Sequence, residues 1–338
     1  MQVLRLSSEA MQFVRRGISR RHALAAGAAL VVGACARERP APGEFAIWGP
    51  PAGPSIILAH AERQGMLREI AEDATVRAWR SPDELRAGLT SQTIQLSIMP
   101  LNTAANLYNR GQDVRLVNIM TRGLLYVVSE DDGIVDVASL AGKRLAVPYR
   151  KDAPEIVLQR LLSYHGLAEG DLTVRTTGTP IEATQLLLTG QVDAAFVPEP
   201  AASAAIAAGG LIGKRLRRVI DVQQAWASVA GEGASLPQAG LAATGAFVDA
   251  HRAQLARLNE VLIAAVRATL EQSGEAAAAA ASLFGLPKPV LEASIPYSNL
   301  VAVPAAEAKS EVERYFSAIH ELDVDILGGR LPDAGFYV

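Results

Sequence analysis

Short apolar runs alternate with amphipathic helical patterns along most of this chain, which is the rhythm of an α/β fold. Apolar runs at 45–48, 75–79, 94–99, 114–120 and 124–129 predict five strands. Runs at 144–147, 172–176, 193–197 and 216–222 predict four more, expected to complete a parallel sheet. Helices fall between them. One spans 55–64 and stops at Gly65, and another opens at Ser81-Pro82, with an N-cap serine and a first-turn proline. A third covers 154–165 with Ile156, Val157, Leu161 and Leu162 on its apolar side, and a fourth ends at Gly190. The chain then returns through a strand at 237–244. A long helix at 247–271 follows, carrying an apolar stripe of Leu255, Leu258, Leu262, Val266 and Leu270. Helices at 275–284 and 304–322 complete the pattern, the last with Val312, Tyr315, Phe316 and Ile319 inward, and the tail aromatics Phe336 and Tyr337 are expected to pack on the first half.

This plan occurs twice. Leu-Thr-x-Gln leads into an apolar run, a proline and an alanine-rich helix start at both 89–105 and 188–202, and Pro100 and Pro198 stand 98 positions apart. The same offset relates Pro50 to Pro148, Asp73 to Asp171, Thr75-Val76-Arg77 to Thr173-Val174-Arg175, Pro82 to Pro180 and Glu84 to Glu182, with a one-residue gap between Glu84 and Ile94. Two similar α/β lobes with facing loops are therefore expected. Residues 44–122 and 237–338 form lobe 1, residues 123–236 form lobe 2, and hinge crossings fall near 121–128 and 222–240. Each lobe is read as a doubly wound, mostly parallel sheet. Ligands bind such sheets beyond the carboxyl ends of the strands, so the candidate ligand-binding residues lie in those loops. They are Pro51, Ser55, Asn102 and Thr103 from lobe 1 and Tyr149, Arg150, Thr179 and Glu199 from lobe 2, with Trp226 and Gln238 near the return crossing. Glu199 is an acid framed by prolines at a strand end, suited to a ligand, a contact between lobes, or the charge at a helix start.

The N-terminus reads as an address. Arginines in the first 21 residues precede an apolar run at 23–34 that is too short for a bilayer span of about 20 residues. Val32-Gly33-Ala34-Cys35 resembles the bacterial lipobox, and Cys35 is the only cysteine, so residues 1–34 are a signal peptide and Cys35 the lipidation site. Ser19-Arg20-Arg21-His22-Ala23-Leu24 resembles a twin-arginine export signal, although Ala23 stands where phenylalanine is usual. Residues 35–43 are then a lipid-anchored tether. With no second cysteine, an exported protein must be held together by its core alone.

At 338 residues, half of them apolar, the chain has enough material for more than one packed layer system. The first 34 residues carry +4 of a whole-chain charge of −3, so the remainder carries −7, a poor match for nucleic acid. Histidines 60, 165, 251 and 320 lie more than a helical turn apart, and no metal site is expected. There is no Gly-x-Ser-x-Gly elbow, phosphate-binding loop or dinucleotide fingerprint, so neither catalytic residues nor a cofactor are expected.

Leu140-Ala141-Gly142-Lys143-Arg144-Leu145-Ala146-Val147, the run 190–200 (GQVDAAFVPEP) and the closing Gly-Gly-Arg-Leu-Pro-Asp-Ala-Gly-Phe-Tyr resemble the solute-binding proteins of ABC importers. The resembled group is the nitrate/sulfonate/taurine type, which includes binders of thiamine-pyrimidine precursors, and the resemblance covers residues 44–338. It implies a two-lobe periplasmic-binding-protein-like fold of type II, with a cleft that closes over a small polar or anionic organic solute. It also implies a monomer on the periplasmic face of a bacterial membrane, with a permease and a cytoplasmic ATPase as partners. Two alternatives stay open: a lipid-anchored module serving a sensor or extracytoplasmic enzyme, and an enzyme of the same fold.

Overall fold

The computed structural model describes residues 45–231 and 234–338. The segments expected to be a signal peptide and a tether, with Cys35, lie outside the described residues. The chain forms two separate sheets.

The first sheet begins with β1 (Ala46–Gly49), β2 (Thr75–Ala78) and β3 (Leu96–Pro100), all parallel, with β1 in the centre. Helix α1 (Pro54–Arg63) joins β1 to the β2 segment and ends where Gly65 takes a left-handed φ of 72°. Helix α2 (Pro82–Thr90) joins β2 to β3. Antiparallel strands β4 (Val114–Leu116), β5 (Asn118–Thr121), β11 (Ala239–Thr244) and β12 (Leu300–Pro304) extend the sheet. The single strand expected at 114–120 is broken at Val117 for a local reason. Asn118 turns its side-chain Oδ1 to the amide of Leu241 at 3.1 Å, replacing a ladder bond.

The second sheet repeats the parallel trio. Strand β7 (Arg144–Pro148) pairs with β8 (Thr173–Thr177) and β9 (Ala194–Pro198), linked by α4 (Ala153–Tyr164) and α5 (Pro180–Leu188). The repeat seen in sequence reaches the register of the sheets. Ala46 faces Thr75 in β1–β2 and Arg144 faces Thr173 in β7–β8, each pair displaced by 98 positions from its counterpart. Trp48 faces Ser97 as Ala146 faces Ala195. Ser81 caps α2 by accepting from the Glu84 amide, and Thr179 caps α5 by accepting from the Glu182 amide. Both glutamates also accept a backbone N–H just before the cap, that of Arg80 or Gly178.

Strand β10 (Arg217–Asp221), expected to complete a parallel sheet, instead pairs antiparallel with β6 (Leu125–Ser129), which itself runs antiparallel to β9. The chain enters this sheet from β5 through Gly123 and leaves it after β10. Only β6 runs against the others, so β10 points the same way as β7, β8 and β9 but is separated from them by β6.

Three helices cover the remaining faces: α6 (Ala201–Leu211) on the second sheet, α7 (Val222–Ala230) after β10, and α8 (Gly245–Glu271) along the first sheet. In α8 the expected stripe is buried except for Leu270, which is exposed near the helix end. Helices α9 (Ser273–Phe284), α10 (Lys288–Ser294) and α11 (Ala305–His320) follow. Val312, Tyr315, Phe316 and Ile319 of α11 are all buried, and Phe336 of the tail packs on Phe316 and Tyr108. No helix among the described residues is long and apolar enough to cross a membrane.

Candidate functional site

Strands β3 and β7 deliver their carboxyl ends to one place. After β3 comes α3 (Leu101–Leu107), whose first turn carries Asn102 and Thr103, both buried. After β7 comes the turn 149–152, in which Tyr149 has a φ of 62° and Lys151 a φ of 58°, so the chain folds back tightly before Asp152 caps α4. Asp152 accepts from the Ala153 amide at 2.8 Å and from the Thr103 hydroxyl at 3.4 Å. Arg86 of α2 approaches it at 3.8 Å, beyond hydrogen-bond range.

Asp152 is only 5% exposed. Burial pushes its carboxyl above the usual range, and the Ala153 amide, Arg86, Thr103 and Asn102 pull it back only in part. The same carboxylate bears on two tyrosines. Tyr149 is pushed up to about 12, by burial and then by Asp152, and the fully buried Tyr315 hydroxyl is pushed up for the same two reasons. Trp226 of α7 lies on Tyr315, with ring centroids 5.7 Å apart.

Three buried polar atoms in this cluster have no hydrogen-bond partner among the described residues: Asn102 Oδ1, Trp226 Nε1 and the Tyr315 hydroxyl. Buried polar atoms are nearly always partnered, and leaving one unpaired costs about 1–3 kcal/mol. A cavity of about 510 Å³ beside the cluster is lined by Asn102 and Thr103 together with Arg86, Arg110, Lys151 and Glu155, but not by Asp152, Trp226 or Tyr315.

The candidate residues therefore divide. Asn102, Thr103, Tyr149 and Trp226 come together around Asp152 and Tyr315. Ser55 is buried in the first turn of α1 with its hydroxyl unpartnered, but no hydrogen bond ties it to this cluster. Pro51 is half-buried in the preceding turn, and Arg150 is exposed. Thr179 is exposed and occupied as the cap of α5. Gln238 accepts the Leu124 amide at 2.9 Å through its side chain and the Leu101 amide at 3.0 Å through its carbonyl, which ties the crossing to β3.

Glu199 is fully buried and paired with Arg218, and it also accepts the Ser203 amide in the first turn of α6 at 3.1 Å. Burial pushes its carboxyl up, and Arg218 and Ser203 offset this. Its carbonyl accepts the Gly53 amide at 3.4 Å, so this residue both starts a helix and touches the β1–α1 turn. The guanidinium of Arg218 lies 3.5 Å over the ring of Tyr297, and the Tyr126 hydroxyl donates to the Tyr297 carbonyl at 2.9 Å.

Sequence reasoning did not single out Asp152 or Tyr315. Asp152-Ala153-Pro154 carries the same cap-then-proline signature as Ser81-Pro82, which marks a helix start but says nothing of burial. Tyr315 sits in the apolar stripe of its helix and reads there as core. Among the described residues no group of three His, Cys, Asp or Glu side chains is placed to hold a metal ion.

Paired α/β sheets with parallel strands ending over such a cluster belong to the two-lobe periplasmic-binding-protein fold. Solved structures with this fold include an ABC transporter protein from Parabacteroides distasonis, 22% identical with a TM-score of 0.70 over 88% of this chain and 99% of that one. An alkanesulfonate-binding protein from Xanthomonas axonopodis pv. citri, bound to MOPS, is 20% identical with a TM-score of 0.63, over 86% and 95% of the two chains. The periplasmic aliphatic sulphonate binding protein of Escherichia coli is 19% identical with a TM-score of 0.64, over 87% and 93%. No curated protein sequence matches the chain. The chain belongs to the NMT1-like family, whose model matches residues 86–284.

Proposed function

We propose that this protein is the extracytoplasmic solute-binding component of an ABC importer, holding a small polar or anionic organic solute between two lobes and delivering it to a permease driven by a cytoplasmic ATPase. The observation that carries the reading is the set of unpartnered buried atoms at Asn102, Trp226 and Tyr315, where the carboxyl ends of β3 and β7 meet. The lobes are residues 44–122 with 237–338 and residues 123–236. The chain passes between them at 121–128 and 222–240, where Gln223 accepts the Leu125 amide at 3.0 Å and Gln238 that of Leu124. A solute closes such a protein only through the extra contacts it makes in the closed form.

Residues 1–34 direct export and Cys35 carries the lipid, which places a monomer on the periplasmic face of the membrane. The mature chain purified from membranes is expected to begin at Cys35 with an added acyl mass, and a soluble product cleaved elsewhere would remove the anchor from the account. For the binding function, a thermal-shift screen of sulfonates, nitrate, pyrimidines, flavins, small aromatic acids and amines is the direct test. A binder at 100 times its Kd adds about 2.7 kcal/mol of stability. Failure of every compound to raise the melting temperature would count against solute binding.

A further inference from the structure

We infer that the cavity between α3, α4 and residues 323–326 receives the head of the solute, and that this head is a zwitterion, an amino group and an acid group close together as in a free amino acid. This rests on the solute-binding reading above and narrows it to solutes that carry both charges.

At about 510 Å³ the cavity has the size of a small-molecule site, for which about 300–1,000 Å³ is usual. Three cationic side chains line it, those of Arg86, Arg110 and Lys151, and three carboxylates, those of Glu155, Asp323 and Asp325. These charges sum to zero, which suits a guest of no net charge that presents both signs. Among the described residues no ion pair joins any two of the six. Arg86 turns to carboxylates outside the lining, Asp83 at 3.7 Å and Asp152 at 3.8 Å. Glu155 accepts the Lys151 amide and Asp323 the Asp325 amide.

Asn102 decides where each end of the guest lies. Its side chain hydrogen-bonds the Asp152 carboxylate, which can only accept, so Nδ2 faces Asp152. Oδ1 is left on the other side of the amide, buried and unpartnered, on a residue that lines the cavity. An acceptor there calls for an N–H donor, and an acid oxygen in its place would oppose lone pair to lone pair. The amino group therefore meets Asn102. The acid group goes to Arg86 and Lys151, which flank the same end of the cavity: Lys151 directly precedes Asp152, and Arg86 reaches toward it. A bare anion would leave Oδ1 unpaired and face three carboxylates, and a bare cation would face three cations.

The test is calorimetric titration of the full-length protein with each of the twenty common amino acids to millimolar concentration, then with the amide and the des-amino acid of the strongest. At least one amino acid is expected to bind, and its amide and des-amino acid to bind roughly 10- to 100-fold more weakly. Asn102→Leu is expected to weaken the amino acid and leave the des-amino acid unchanged. Lys151→Met is expected to weaken the amino acid about 10-fold and leave the amide unchanged, and its exposed position keeps the test open should Asn102→Leu fail to fold. An amide or des-amino acid that binds as tightly as the amino acid would overturn the zwitterion while leaving solute binding in place. So would an amino acid whose affinity neither variant changes. Silence across all twenty would contradict the zwitterion, and a thermal-shift screen that is blank for every other compound as well would contradict the solute-binding reading itself.

Discussion

Two carboxylates carry most of the chemistry at the scale of single residues, and their surroundings set them apart. Glu199 is fully buried with Arg218 beside it and the Ser203 amide on its other oxygen. Truncation in Glu199→Ala leaves a guanidinium in the interior without its partner, and a loss of about 3–5 kcal/mol in denaturant unfolding is expected. A loss below about 1 kcal/mol would mean that the pair is solvated. The only guanidinium near Asp152, that of Arg86, stands off at 3.8 Å, so Asp152→Asn is expected to unfold within about 1 kcal/mol of the wild type, or above it, at neutral pH. The pH dependence has a definite sign. A carboxyl raised in the folded state binds its proton more tightly there than when unfolded, so its favourable contribution is present at acid pH and lost as pH rises through the raised value. Of the groups facing it, Tyr149 and Tyr315 are pushed up by burial, away from that window. Melting curves of the wild type and Asp152→Asn are therefore expected to draw together or cross in favour of the wild type as the pH falls from neutral. A wild type that loses ground to the variant on acidification would contradict the direction of the shift.

Elements were the most legible level. Periodicity found the parallel trios and most of the helices, and the 98-residue offset anticipated a register and a cap that recur in both sheets. That recurrence is itself testable. Ser81→Ala and Thr179→Ala are each expected to cost about 1 kcal/mol, and the double variant about the sum, because the caps share no partner. A cost confined to one of them would show that only one cap holds its helix. What escaped the pattern has physical reasons. Helix α7 follows β10 directly, capped by Asp221, so no turn signal separates strand from helix. Strand β12 is five residues that pair only with β5, at the sheet edge. That β10 pairs with the reversed strand β6 and not with the parallel trio depends on where the chain crosses, which local pattern does not encode. Of the residues in the polar cluster, Asn102, Thr103 and Tyr149 were expected from the rule that ligands sit beyond strand ends. Asp152 and Tyr315 join them through burial by distant segments, which local pattern does not show.

For the whole molecule, the account depends on two sheets that share a site. The crossing at Gly123 has a φ of 114° and packs so closely that a Cβ there would sit 2.2 Å from Gln223 Cγ, and Arg218 of β10 stacks on Tyr297 from the C-terminal return. The connections that join the sheets are thus packed against one another, while the polar cluster lies where the strand ends meet. Family and fold place the chain among NMT1-like proteins with a periplasmic-binding-protein-like fold. The most direct test of the central claim is a crystal structure of the protein grown with the strongest stabiliser from the thermal-shift screen. The account predicts the solute in contact with Asn102, Trp226 and Tyr315, completing the hydrogen bonds those side chains lack. A solute bound elsewhere on the molecule, with these atoms still unpartnered, would contradict it.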